Sequence, residues 1–223
     1  MKLYCDLIST TSRPVVLFAL DHGLQLQLEH VDLMTQQQNE PAYLRVNPNG
    51  VVPYLIDEDG FELGESSAIL KYLADKVGSP AYPTELKARA RVNAAMDWFA
   101  TNLHTDFCSF VCYPQLGVHH QLQPSVIQAI VAHGEDRAPR WLTILDERMI
   151  GDNAFVCGNE ITLADYLGSA FITLGELVAY DFSPYPNVRR WVARMKARPG
   201  WNAAYAAFNG WLSATRAQRQ LTA

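Results

Sequence analysis

The stretch Asn47-Pro48-Asn49-Gly50-Val51-Val52-Pro53 decides the fold of this chain. The ring of Pro53 clashes with the backbone of Val52, which favours an extended conformation there. The stretch therefore predicts a turn that opens the strand Tyr54-Leu55-Ile56. A cis bond before Pro53 would leave the N–H and C=O of Val52 facing outward. Such bonds are cis in only about 5–6% of cases. On these residues alone, Pro53 can equally be an ordinary trans proline that starts the strand.

A second stretch, Glu65-Ser66-Ser67-Ala68-Ile69, follows a hairpin turn signal at Asp57-Glu58-Asp59-Gly60. Apolar residues at helical spacing predict a helix that begins near Glu65 or Ser66. The first N–H groups of a helix lack partners and lie at the positive end of its dipole, so they suit a carboxylate. The alternative is that a serine is an ordinary N-cap. Glu65 favours a ligand site, because it can pair with an ammonium group.

Together these two stretches resemble the cytosolic glutathione transferases, with a theta-like N-terminus, over essentially the whole chain. The resemblance implies an α/β thioredoxin-like N-terminal domain plus an all-α C-terminal domain. It implies glutathione as cosubstrate, whose cysteinyl backbone pairs with Val52 before a cis Pro53. It also implies that Glu65 and Ser66 bind the γ-glutamyl end.

The predicted elements follow the order β-α-β, then α, then β-β-α, as in thioredoxin-like folds. Glycine and proline after residue 77 mark a linker, which gives domains over residues 1–77 and 84–223. Beyond Thr84 the sequence predicts helices only, and one of them ends at Pro114. The clearest helix start is the capping box Thr162-Leu163-Ala164-Asp165. A capping role makes Asp165 a folding residue rather than a catalytic one.

The implied reaction needs a thiolate, and four hydroxyls lie between the first strand and the first helix: Ser9, Thr10, Thr11 and Ser12. A hydroxyl donor and a helix N-terminus together lower a thiol pKa by about one to two units. The theta-like start Asp6-Leu7-Ile8-Ser9 assigns this role to Ser9, as hydrogen-bond donor to the sulfur. Thr10 is the alternative, since beta-class relatives have their active residue near that position.

Further roles follow only from the resemblance. Gln38 matches a theta-class position that contacts the glycyl end of glutathione. Val51 stands where those relatives often have a lysine, which removes a carboxylate contact. Phe107, Phe110 and Tyr113 are candidates for a hydrophobic substrate pocket, although they are equally suited to the core.

Composition excludes several other classes of protein. The net charge of −5 argues against a nucleic-acid partner, and no apolar run approaches the length of a membrane span. We expect a cytoplasmic protein with reduced cysteines, in which Cys108 and Cys112 are buried. We expect no metal site, since the histidines are scattered apart from His119-His120 in a predicted loop.

The sequence thus predicts a homodimeric glutathione transferase that conjugates glutathione to a small hydrophobic electrophile. Aromatic substitution, epoxide opening and halide displacement are the expected reactions. A noncatalytic binding or regulatory protein on the same fold is an alternative. A glutathione-dependent peroxidase, isomerase or dehalogenase is another.

Overall fold

The computed structural model describes residues 1–117 and 121–222, so His119 and His120 lie outside the described residues. The chain divides into two compact units. The first contains Met1–Pro80 together with Arg198–Trp211. The second contains Ala81–Ala197 and the last helix from Leu212 onward.

The first unit is a four-stranded sheet with helices. Its elements are β1 (Lys2–Cys5), α1 (Ser12–Asp21), β2 (Gln27–His30), a 3₁₀ turn (Gln37–Asn39), α2 (Pro41–Leu44), β3 (Tyr54–Ile56), β4 (Glu62–Leu63) and α3 (Ser66–Lys76). The strand order is β2-β1-β3-β4. β1 is parallel to β2 and antiparallel to β3, and β3 is antiparallel to β4. The predicted thioredoxin-like order is confirmed.

Alternation along the strands explains how this sheet is buried. Successive side chains of a strand point to opposite faces, and Leu3 on β1 and Leu55 on β3 are paired neighbours that are fully buried. Phe18 of α1 and Ile69 of α3 are also fully buried, in helices that contact each other. Removal of this apolar surface from water stabilises the unit.

A segment from the far end of the sequence belongs to this first unit. It holds α9 (Trp201–Ala204) and the start of α10 (Ala206–Thr222). The carboxylate of Asp21 accepts hydrogen bonds from Arg198 Nε at 2.8 Å and from the Gly200 N–H at 3.0 Å. The fully buried guanidinium of Arg13 lies over the Phe208 ring, 3.9 Å from its centroid. Contacts of charged groups therefore join this segment to α1.

The regular elements in the described part of the second unit are helices, beside one isolated β-bridge between Phe155 and Gly158. α4 (Leu86–Trp98) continues as a π-helix (Phe99–Cys112) into α5 (Tyr113–Gln115); then follow α6 (Pro124–Ile144), a π-helical turn (Leu145–Ile150), α7 (Leu163–Leu174), α8 (Pro186–Lys196) and the end of α10. The prediction that Pro114 ends its helix is wrong, because Pro114 lies in the first turn of α5. The helical segment ends one residue later, at Gln115.

The centre of this unit is α7, all of whose residues are buried. The predicted capping box of Thr162 and Asp165 is present at its start. Cys108 and Cys112 are fully buried, as predicted. Among the described residues, none of the helices is both long enough and apolar enough to span a bilayer.

Candidate functional site

The proline turn before β3 is held by side chains on both sides. Its Val52–Pro53 peptide bond is cis. The carbonyl of Val51 accepts hydrogen bonds from the Tyr43 hydroxyl and from Asn47 Nδ2, each at 2.7 Å. Two donors on one carbonyl fix the orientation of the peptide that precedes Val52.

The backbone of Val52 has one occupied and one open hydrogen-bonding group. Its carbonyl accepts a hydrogen bond from Thr11 Oγ1 at 3.0 Å. Its N–H has no hydrogen-bond partner within residues 1–117 and 121–222. A carbonyl oxygen has two lone pairs, so Val52 can still pair with both backbone groups of an extended peptide.

The turn after β1 presents Ser9. The buried Asp6 organises this turn, because its carbonyl accepts the Ser9 N–H at 3.0 Å and its carboxylate accepts the Ile8 N–H at 3.0 Å. The same carboxylate accepts the Leu33 N–H at 3.1 Å, from the loop after β2. Ser9 therefore lies on a backbone that is fixed from two directions.

The hydroxyl of Ser9 is set as a hydrogen-bond donor. Ser9 Oγ accepts the N–H groups of Thr11 and Ser12, each at 3.2 Å. These two bonds use both lone pairs of the oxygen, so only its proton remains to be offered. Ser9 Oγ also lies 2.9 Å from Thr11 Oγ1. Since Val52 O is 3.0 Å from the same Thr11 atom, Ser9 Oγ and Val52 O are at most about 6 Å apart.

Burial distinguishes Ser9 from its neighbour. Ser9 is half-buried, whereas Thr10 is only 3% exposed. The side chain of Thr10 therefore offers almost no surface to a ligand. This difference favours Ser9 for the contact with sulfur.

The chain's own cysteines are poorly suited to supply a thiolate. Burial, with a smaller effect of the neighbouring Asp6 charge, raises the pKa of the Cys5 thiol to about 11. Burial also raises the pKa of Cys112 and of Cys157. These shifts disfavour a thiolate on Cys5, Cys112 or Cys157 at neutral pH.

The start of α3 is an open helix N-terminus. Glu65 occupies the cap position, but its side chain makes no capping hydrogen bond. The N–H groups of the first turn have no partner within the described chain; they are those of Ser66, Ser67 and Ala68. Because the helix begins at Ser66, that residue is not the N-cap. Three unpaired donors at the positive end of a helix dipole suit an anion.

The backbone of Glu65 adopts a conformation that non-glycine residues rarely occupy. Its φ is 64° and its ψ is 112°. Such a conformation costs on the order of 1–3 kcal/mol and is found mainly at functional sites. The side chain of Glu65 is exposed, whereas Ser66 is only 8% exposed. This turn presents a carboxylate beside the open helix N-terminus.

The β3–β4 hairpin brings the two stretches to the same end of the sheet. Leu55 pairs with Leu63 in antiparallel register. One step further, a Cβ placed on Gly64 would lie 3.7 Å from the Tyr54 ring. Pro53 precedes Tyr54 and Glu65 follows Gly64, so the proline turn and the start of α3 adjoin.

Gln38 lies beside the same turn. A Cβ placed on Gly50 would be 3.3 Å from the Gln38 carbonyl oxygen. The Gln38 side chain donates through Nε2 to Gln36 Oε1 over 3.4 Å. Its Oε1 is buried and has no partner among the residues that the structure describes. The side-chain amide of Gln38 therefore makes only one long hydrogen bond within the described residues.

Comparison with known proteins agrees with this geometry. A family model described as the glutathione S-transferase N-terminal domain matches residues 3–81, and one for the C-terminal domain matches residues 115–199. Human glutathione S-transferase theta-2B is 34% identical over 200 residues, which cover 88% of this chain and 81% of that protein. The chain belongs to the glutathione S-transferase family.

Two solved structures of theta-class members of this family are also similar. Human glutathione transferase theta-2, in complex with glutathione and an unknown ligand, superposes with a TM-score of 0.85 at 31% identity, covering 97% of this chain and 90% of that one. A human theta-class enzyme with the glutathione conjugate of 1-menaphthyl sulfate gives a TM-score of 0.84 at 31% identity, covering 99% and 91%. The resemblance predicted from the sequence is confirmed.

Glutathione transferases also need a surface for the electrophile, and the predicted aromatic residues differ in access. Phe107 is fully buried and packs against Tyr180 and Phe182. Phe110 is half-buried and lines a groove of about 390 Å³ in the second unit together with His133, whose ring centroid lies 5.6 Å from that of Phe110. Phe107 is therefore a core residue in this structure.

The sequence did not predict the residues whose side chains fix the backbone of the site. Tyr43 and Asn47 hold the Val51 carbonyl, and Asp6 holds the Ser9 turn. These bonds join side chains to backbone groups two to eight residues further along the chain, and none of them belongs to the capping, turn or periodicity signals used for the prediction. Thr11 was predicted only as one of four hydroxyls in the loop.

Proposed function

We propose that the protein is a glutathione transferase that ionises the glutathione thiol and conjugates it to a small hydrophobic electrophile. The proximity of Ser9 and Val52 carries this proposal. A hydroxyl set as a donor lies at most about 6 Å from a backbone carbonyl. The sulfur of a cysteinyl residue is only two bonds from its Cα. One cysteine can therefore reach both groups.

Glutathione would bind along the end of the sheet. Its cysteinyl backbone pairs with Val52 beside Pro53. Its γ-glutamyl carboxylate accepts from the first turn of α3, with Ser66, while its ammonium group pairs with Glu65. Its glycyl end contacts Gln38. The unpaired N–H groups at the start of α3 and the exposed Glu65 carboxylate support this orientation.

Ser9 would stabilise the thiolate rather than attack the electrophile. A free thiol has a pKa near 8.5, so only a few per cent is ionised at neutral pH. A charge-assisted hydrogen bond from Ser9, together with the N-terminus of α1, lowers that pKa by about one to two units. The sulfur then attacks an electrophilic carbon. The new C–S bond forms as the leaving group departs with the electron pair of the bond that breaks.

The electrophile we propose is small and hydrophobic. The human theta-class structure holds the glutathione conjugate of 1-menaphthyl sulfate. We extend that chemistry to this chain as one candidate reaction, in which inorganic sulfate leaves from an arylmethyl carbon. Aryl halides, epoxides and alkyl halides are the other classes to test.

Calorimetric titration with glutathione and a turnover panel test the proposal. We expect saturable heat, and turnover of at least one electrophile. Ser9→Ala should raise the pKa of the bound thiol by about one unit. The matched control is Ser183→Ala, which removes an exposed hydroxyl that donates to a carboxylate of Asp181. A wild-type protein without glutathione binding would overturn the proposal.

The role of Glu65 has its own test. Glu65→Gln should weaken glutathione binding about five-fold, because an exposed ion pair is worth about 1 kcal/mol. The control is Glu160→Gln, an equally conservative change at another exposed glutamate. Equal affinities of the two variants would remove Glu65 from the site.

A noncatalytic glutathione-binding or regulatory protein is the second candidate, and the valine at position 51 permits it. Val51 is 49% exposed, where theta-class relatives often have a lysine. Glutathione binding without turnover of any electrophile would establish this role. Activity only with hydroperoxides or in isomerisation would instead indicate a glutathione-dependent peroxidase or isomerase.

We also propose that the protein works as a homodimer in the cytoplasm. Membership of the glutathione S-transferase family supports this assembly. Light scattering after size-exclusion chromatography would measure the mass of the assembly, against the 25.0 kDa of one chain. Cell fractionation would test the location.

A further inference from the structure

The hydroxyl of Thr11 joins the two groups that would contact the cysteine of glutathione. Thr11 Oγ1 lies 2.9 Å from Ser9 Oγ and 3.0 Å from Val52 O. We propose that Thr11 is a positioning residue, which sets the Ser9 hydroxyl at the right place relative to the Val52 backbone. This inference rests on the proposed function, because it assigns the sulfur to Ser9 and the cysteinyl backbone to Val52.

Counting protons fixes the direction of these hydrogen bonds. Thr11 has one hydroxyl proton, which it donates to Val52 O. The proton between Thr11 and Ser9 must then come from Ser9. The same conclusion follows from Ser9 itself, whose lone pairs accept the N–H groups of Thr11 and Ser12. The order of donation is Ser9 to Thr11 to Val52.

Helix capping does not account for the Thr11 hydroxyl. Thr11 stands at the N-cap position of α1, but its side chain makes no capping bond. Ser9 Oγ accepts the first N–H groups of that helix in its place. The hydroxyl of Thr11 instead reaches a carbonyl 41 residues away in the sequence.

The position of Ser9 relative to Val52 matters because the single cysteine of glutathione must contact both residues. Paired backbone of β1 and β3 ends at Tyr4 and Tyr54. Ser9 and Val52 lie in the turns beyond this pairing. An error of about 1 Å in the placement of a reacting group can cost on the order of a hundred-fold in rate. The Thr11 hydroxyl links the two turns at the site itself.

Thr11 would act through Ser9 and not on the sulfur. When the sulfur accepts the Ser9 proton, Thr11 loses that donor but keeps its bond to Val52 O. The link to the proline turn therefore persists in the bound state. In that state the Thr11 N–H still donates to Ser9 Oγ. Loss of the Thr11 hydroxyl would therefore release residue 11 from the proline turn, displace Ser9 and weaken its hydrogen bond to the thiolate.

A double-mutant cycle on the bound thiol pKa tests the inference. Thiolate absorbance is followed against pH at saturating glutathione for wild type, Thr11→Val, Thr11→Ser, Ser9→Ala and Ser9→Ala/Thr11→Val. Thr11→Val should raise the thiol pKa by about 0.5 to 1 unit, the equivalent of one lost hydrogen bond. Thr11→Ser keeps the hydroxyl and should restore the wild-type pKa. In the Ser9→Ala background, Thr11→Val should change nothing further.

The control is Thr105→Val, which removes a hydroxyl bonded to the Thr101 carbonyl at 2.7 Å on an exposed helix face. Melting temperatures establish that each variant is folded, and Thr11→Ala replaces Thr11→Val if the latter is not. An unchanged thiol pKa in Thr11→Val overturns this inference alone, provided Ser9→Ala raises it. An equal rise in both backgrounds also overturns it, because Thr11 would then act independently of Ser9. Wild-type protein that binds no glutathione overturns the proposed function as well.

Discussion

Replacement of Asp165 by alanine should destabilise the second unit severely. Its fully buried carboxylate accepts the Val156 N–H at 2.9 Å, the Thr162 N–H at 2.7 Å and Trp191 Nε1 at 2.9 Å. Alanine would leave these three buried N–H donors unpaired and would also remove the acceptor of the Thr162 hydroxyl, which lies 2.9 Å from the carboxylate. Each unpaired group costs about 1–3 kcal/mol.

The expected loss lies in the lower half of that sum. Burial raises the pKa of Asp165, so the ionised carboxylate itself has a desolvation cost that alanine removes. We therefore expect Asp165→Ala to lower the free energy of unfolding by about 3–5 kcal/mol. Asp165→Asn retains one acceptor oxygen and should lose about 1–3 kcal/mol. Both losses are large beside a total stability of about 5–15 kcal/mol.

Urea unfolding at pH 7, followed by tryptophan fluorescence and circular dichroism, measures these differences. Asp152→Ala is the matched control, since that carboxylate is exposed and accepts no hydrogen bond from residues 1–117 or 121–222. A loss below about 1 kcal/mol in Asp165→Ala would refute the reasoning, because the unpaired donors would then cost far less than buried groups do. So would a loss in Asp165→Asn equal to that in Asp165→Ala.

Two further changes test other parts of the structure. Hydrogen bonds from Lys76 and a tyrosine lower the pKa of Asp57 from 3.8 to about 2. The folded state therefore gains stability from Asp57 above pH 4 and loses it as the pH falls from 4 to 2. At pH 6, Asp57→Asn should lower the free energy of unfolding by about 1–2 kcal/mol, a value reduced by solvent screening because Lys76 is partly exposed. In urea titrations this difference from wild type should shrink toward zero near pH 2. A difference that stays constant with pH would contradict the reasoning. Gly168→Ala should lower the melting temperature strongly, since its Cβ would lie 2.3 Å from Phe99 Cζ. Gly210→Ala is the control and should leave the melting temperature unchanged, since nothing lies within 4 Å of its Cβ. Equal melting temperatures of the two variants would contradict the prediction and show that the core near Phe99 can rearrange to accept the methyl group.

Local signals in the sequence predicted most of the fold. The proline turn, the hairpin and the capping box each depend on residues within a few positions of one another. The predicted strand Tyr54-Leu55-Ile56 has the bounds seen in the structure, and α3 begins at one of the two predicted residues. Such elements are predictable because steric clash, turn chemistry and helix capping act over short distances along the chain.

The rest depends on hydrogen bonds from side chains to backbone groups, one of them between segments 41 residues apart. The bond from Thr11 to the Val52 carbonyl and those from Tyr43 and Asn47 to Val51 carry no sequence pattern. The positive φ of Glu65 could not be predicted either, because the sequence of this stretch is typical of an ordinary helix start. The roles of Ser9 and Gln38 were assigned only through resemblance to a family, and they stay predictions.

The discontinuity of the first unit has a consequence for synthesis on the ribosome. Residues 1–80 emerge early, but the partners of Asp21 and Arg13 lie after position 197. Until nearly all of the message has been translated, Asp21 lacks Arg198 and Arg13 lacks the Phe208 ring, although Arg13 can already donate to the Ile8 carbonyl. A premature stop codon anywhere before Arg198 would release a chain that has all four strands of the sheet but lacks the C-terminal segment that contacts α1.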